Sequence, residues 1–72
     1  MADVVANMAG SIWKKIVTEG DTVNIGQDVV ILESMKMEIP ISTPVKGKVT
    51  TFYVKEGDFV NEGDLIAVVE EE

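Results

Sequence analysis

The chain has neither cysteine nor histidine among its 72 residues. Without cysteine there are no disulfides, and without either residue a structural zinc site loses both of its principal ligands. A domain of this size buries only about 60% of the surface its unfolded chain exposes, so its stability has to come from packing and regular backbone pairing. The same absences narrow the chemistry. Nucleophilic triads, zinc hydrolases and histidine acid–base catalysis each need a missing residue type, which leaves carboxylates, lysines, hydroxyls and one tyrosine. We therefore expect no catalytic residues, no metal site and no enzyme. Positive charge is also scarce. Six scattered cationic residues, all lysine, stand against 13 acidic ones, for a net charge of −7, and nucleic-acid binding requires a clustered cationic surface. No apolar run approaches the roughly 18 residues that span a bilayer, and no basic-then-apolar leader opens the chain. These features predict a cytoplasmic monomer without membrane insertion or a nucleic-acid partner.

What is present is a repeat. Residues 10–33 (GSIWKKIVTEGDTVNIGQDVVILE) lie over residues 47–70 (GKVTTFYVKEGDFVNEGDLIAVVE) without a gap, at a constant offset of 37. The identities are Gly10/Gly47, Val17/Val54, Glu19/Glu56, Gly20/Gly57, Asp21/Asp58, Val23/Val60, Asn24/Asn61, Gly26/Gly63 and Glu33/Glu70. All 6 glycines fall into three of these pairs. Glycine marks positions that need positive φ or close backbone approach, so the two halves should share one backbone plan. At this offset residues 1–35 lie over 38–72, and only Lys36 and Met37 have no counterpart. The expectation is one domain, residues 1–72, with repeats 1–35 and 38–72.

Each half reads as short strands. Ser11–Val17 and Lys48–Val54 are rich in β-branched and aromatic residues, while Asp28–Glu33 and Asp64–Val69 are apolar runs too short for stable helices. Glu19-Gly20-Asp21, Asn24-Ile25-Gly26 and their equivalents Glu56-Gly57-Asp58 and Asn61-Glu62-Gly63 supply turns. Pro40 and Pro44 confine the segment after the junction to an edge or irregular strand. The predicted fold is all-β: two similar antiparallel sheets packed face to face and related by a pseudo-twofold. Trp13, Met8 and Met1 are assigned to the core, Lys14, Lys15, Lys46, Lys48 and Lys55 to the solvated surface, and Glu70-Glu71-Glu72 to a frayed end.

The segment from Val29 to Ile41 reads as two strands joined by a tight turn centred near Lys36. Two-residue hairpins favour Asn-Gly, Asp-Gly or a glycine-led pair because strand twist demands positive φ. This turn offers only methionines and a lysine, and a local rule broken without structural gain points to function. The stretch Glu33-Ser34-Met35-Lys36-Met37-Glu38 resembles the attachment motif of biotinyl domains, and with the Glu-Gly-Asp turns the resemblance covers essentially the whole chain. It is similar to single-domain biotin/lipoyl attachment proteins and to the carrier domains of biotin-dependent carboxylases and decarboxylases. The short connection from Val17 to Thr22 leaves no room for the protruding thumb of some carrier domains.

The resemblance implies the barrel-sandwich hybrid fold and a non-catalytic carrier with biotin attached covalently to Lys36. Met35 and Met37 would flank the cofactor. It further implies a biotin protein ligase as modifying partner, and biotin carboxylase and carboxyltransferase components between which an activated carboxyl group is carried. The biotinylated side chain would be an arm on the order of 12–14 Å long, roughly ten bonds each projecting a little over 1 Å. Two alternatives share the fold. A lipoyl carrier usually has aspartate before and alanine after the lysine, where this chain has Met35 and Met37, although Glu33 and Gly20 are compatible with lipoate. An unmodified interaction module would not need the Met-Lys-Met turn.

Overall fold

A computed structural model describes all residues, Met1–Glu72. Eight strands and no helix make up the chain: β1 Ala2–Val5, β2 Gly10–Lys15, β3 Thr22–Val23, β4 Asp28–Ser34, β5 Met37–Ser42, β6 Gly47–Phe52, β7 Phe59–Val60 and β8 Leu65–Glu71. They form two four-stranded antiparallel sheets of order β1-β8-β6-β3 (sheet A) and β5-β4-β2-β7 (sheet B). Adding 37 to a residue number carries each strand of one half onto a strand of the other, and carries the order of sheet A onto that of sheet B. The sandwich expected from the repeat is present. What the repeat left open was the pairing. Each half places its two long strands at the centre of one sheet and its other two strands at the edges of the opposite sheet, so neither half forms a sheet by itself.

The core obeys the same relation. All 18 buried residues fall into nine pairs at offset 37: Val4/Ile41, Ala6/Thr43, Gly10/Gly47, Ile12/Val49, Val17/Val54, Val23/Val60, Val29/Ile66, Val30/Ala67 and Leu32/Val69. The pair Ala6/Thr43 places a hydroxyl in the interior. Thr43 Oγ1 donates to the Val45 carbonyl at 2.7 Å and accepts from the Val45 N–H at 3.2 Å, which removes the cost of burying it. Hydrogen bonds repeat as well. The Lys15 N–H donates to Glu56 Oε2 at 3.0 Å, and at the equivalent place the Phe52 N–H donates to Glu19 Oε2 at 2.9 Å. Each half is thus tied to the other through a side chain of its own Glu-Gly-Asp turn.

Glycine serves two purposes. Four residues occupy turns at positive φ, whereas Gly10 and Gly47 sit where strands approach too closely for a side chain. Pro40 lies in β5, which is an edge strand as its missing N–H requires. Several sequence assignments change. Trp13 is 48% exposed and Met1 76% exposed; only Met8, partly buried against the core, packs as expected. Trp13 follows the inward-facing Ile12, so strand alternation turns it outward, at an irregularity in the β2·β4 register between Ile12 and Lys14. Lys15 is half-buried, its Nζ 4.2 Å from the centre of the Phe52 ring. Glu70 and Glu71 are not frayed: they belong to β8 and pair with Lys48 and Gly47. No helix is long and apolar enough to cross a membrane.

Candidate functional site

The β4–β5 hairpin closes through two residues, Met35 and Lys36, between the facing pair Ser34 and Met37. Their φ angles are +52° and +63°, and they are the only non-glycine residues of the chain with positive φ. Positive φ at both central positions defines the type I′ turn that strand twist favours. An L-residue there costs roughly 1–2 kcal/mol. Every other positive-φ position is glycine. The strain is therefore confined to the one loop whose side chains project from the tip of sheet B.

Met35 is 90% exposed and Lys36 is also exposed; none of the side-chain hydrogen bonds in the molecule involves the Lys36 ammonium. The lysine is displayed on a fixed backbone without being held by its neighbours. Met37 does not lie in the turn as the sequence suggested. It is the first residue of β5 and is 62% exposed, its position set by strand pairing and not by turn geometry. The three residues of the Met-Lys-Met motif are therefore contiguous at the tip but of two kinds: two strained turn residues and one strand residue.

Immediately below the turn, Glu33 and Glu38 face one another across the strands. Like charges directly opposite are destabilising in a sheet, and motif reading did not single out this pair as a structural cost. Sequence reasoning also missed two aromatics on the outer face of sheet B. Phe59 is 66% exposed and pairs with Ser11, two residues from Trp13 along β2. A signal was available: at offset 37 their counterparts are Thr22 and Thr50, polar residues where a core position shared by both halves would be expected to carry an apolar one.

The strain at the turn also makes a stability prediction. Replacing Met35-Lys36 by Asn-Gly should raise stability by about 1–2 kcal/mol, because this pair meets the type I′ requirement without the L-residue penalty. Chemical denaturation of the doubly substituted chain measures it. An unchanged or lowered midpoint would show that the turn is not strained.

Over residues 1–69 the chain matches the family described as "Biotin-requiring enzyme". It belongs to the biotin/lipoyl attachment family. It is 58% identical over 59 residues to the Biotin/lipoyl attachment protein of Bacillus subtilis, covering 82% of this chain and 81% of that one. Its identity to the Biotinylated protein TB7.3 homolog of Mycobacterium leprae is 46% over 67 residues, 93% of this chain and 94% of the other. Its fold matches part of the Kluyveromyces lactis urea carboxylase with a TM-score of 0.91 and 36% identity, over 96% of this chain and 6% of that enzyme. The matching segment is thus a small portion of a far longer chain.

Proposed function

We propose that residues 1–72 are one carrier domain, modified on Lys36 with biotin, that moves an activated carboxyl group between the active sites of a biotin-dependent carboxylase or decarboxylase. The observation that carries this reading is the strained, non-glycine turn at the one junction without a repeat counterpart. A fold that places glycine at its other positive-φ positions keeps a lysine here, at the tip and free of partners. Such a site fits a covalently attached group: the amine is accessible, the backbone is preorganised, and acylation would disturb no core contact. Similarity to a biotinylated protein and to part of a urea carboxylase supports biotin over lipoate.

When bound, biotin supplies a ureido nitrogen that takes up and releases a carboxyl group. The chain contributes placement. At a biotin protein ligase the Lys36 ε-amino group would give up a proton and attack the carboxyl carbon of biotinyl-adenylate, forming the amide as AMP leaves, and the side chain afterwards serves as the stem of the arm. Met35 and Met37 provide a flexible apolar collar that a partner's active site can enclose. Tethering raises the local concentration of the carried group at a biotin carboxylase centre and then at a carboxyltransferase centre. The net charge of −7 favours a monomer through self-repulsion, and we assign its place of action to the cytoplasm.

The test is incubation with biotin, ATP and a biotin protein ligase, followed by intact mass and peptide mapping. A single biotin adduct on Lys36 is expected; label on Lys14 or Lys55 at comparable yield, or none, would refute the reading. A register test probes the geometry. Moving the lysine by one residue, as Met35→Lys with Lys36→Met or as Lys36→Met with Met37→Lys, preserves composition and charge but redirects the amine. Both variants should lose incorporation by about a hundredfold, the order of penalty that a small misplacement of reacting groups brings. Parental rates in either would mean that the ligase reads a flexible segment.

A further inference from the structure

The two sheets share their interior but not their exterior. On sheet B, Glu33, Ser11 and Phe59 lie in one row across β4, β2 and β7, with Trp13 beside it. The equivalent row on sheet A is Glu70, Lys48 and Thr22, with Thr50 in the place of Trp13. Ile12 and Val60, the inward neighbours, are buried, so Ser11, Trp13 and Phe59 face outward. Thr50 uses its hydroxyl to donate to the Val68 carbonyl at 3.2 Å, and Trp13 makes no corresponding bond. What folding requires is common to both halves. The aromatic pair is absent from sheet A, so it is not a requirement of the fold, and it lies on the sheet that carries the Lys36 hairpin.

Lys36 stands on the β5 side of the turn, two steps or about 7 Å above the Glu33–Glu38 pair, and from β5 to β7 is three strand spacings, about 14 Å. Phe59 therefore lies about 16 Å from the Lys36 backbone, a span the biotinylated lysine covers once the width of the bicycle is added to the arm. We propose that the Phe59–Trp13 face of sheet B receives the bicycle of the chain's own biotin when the arm is not engaged by a partner. This rests on biotin being carried by Lys36. The bicycle is uncharged and largely apolar, so Glu33 and Glu38 beside its path do not repel it, and an aromatic face suits it better than the threonine- and lysine-bearing face of sheet A. Tethering makes docking intramolecular, so that a modest net preference for the aromatic face keeps it covered most of the time.

Trp13 is the only tryptophan and reports directly on this face. The experiment compares acrylamide quenching of its emission in the apo chain and in the fully biotinylated chain, whose single adduct is verified by mass. Biotinylation should lower the quenching constant by about one third to one half, as expected for an aromatic side chain covered most of the time, and should shift the amide resonances of Ser11 and Phe59. In Phe59→Thr, which copies the residue accepted at the equivalent place in sheet A, the biotinylated and apo chains should quench alike. A complete adduct with unchanged quenching in the parent chain overturns the inference and leaves the carrier reading standing. Failure of Lys36 to take biotin overturns both.

Discussion

Lys36→Ala is expected to eliminate biotin incorporation completely while moving the thermal midpoint by no more than about 3 °C. The two outcomes separate because the residue lies outside the nine buried pairs and its side chain makes none of the molecule's side-chain hydrogen bonds. Alanine in the same turn keeps an L-residue at positive φ, so the strain is neither relieved nor increased. Mass spectrometry after ligase treatment measures the first outcome and calorimetry the second. Residual incorporation would place the acceptor on another lysine. A large drop in midpoint would make Lys36 a structural residue.

Gly47→Ala should be the most damaging single-methyl change in the chain. A Cβ at this position would overlap the Glu70 carbonyl oxygen and lie 2.8 Å from the Glu70 carbonyl carbon and 3.0 Å from the Glu71 Cα. These are backbone atoms of the strand paired to β6, so no rotamer change relieves the clash and β8 must move. The expected cost is about 3 kcal/mol, at the upper end for overpacking. In a domain of this size that lowers the midpoint by about 12–24 °C. Gly10→Ala offers an internal comparison. At this equivalent site the nearest atom, the Glu33 carbonyl oxygen, lies 2.8 Å from the added Cβ. The substitution should cost less, and denaturation of the two variants side by side tests the ranking. Equal midpoints would show that the two approaches are equivalent, contrary to their geometry.

Legibility followed a physical rule. The repeat exposed two valine pairs that prove to be buried, Val17/Val54 and Val23/Val60, since side chains that fill equivalent places in a core are constrained in both copies. It also exposed the glycines, whose demands on the backbone are local. Trp13 was misplaced because hydrophobicity alone argued for burial, whereas it alternates with Ile12, and which face of β2 is the inner one is set by the sheet packed against it. Met37 was assigned to the turn because strand pairing between Ser34 and Met37, which limits the loop to two residues, is invisible without the partner strand. Glu70 and Glu71 looked like a solvated tail for a similar reason: their strand character comes from β6, more than twenty residues earlier in the chain.

By itself the sequence determined that this is an all-β chain of two equivalent halves and that Lys36, with Met37, occupies the one place the repeat does not explain. Those properties are encoded in local spacing and in residue types with strong backbone or burial preferences. Only the tertiary structure decided that the halves exchange edge strands, that Met35 and Lys36 share a strained two-residue turn, and that Trp13 and Phe59 stand on one outer face beside it. The first and last follow from pairing between residues distant in sequence, and the turn follows from the register of β4 against β5. A repeat specifies that two segments are alike without specifying which strand each will lie beside, and hydrogen bonding between strands is the interaction that settles it.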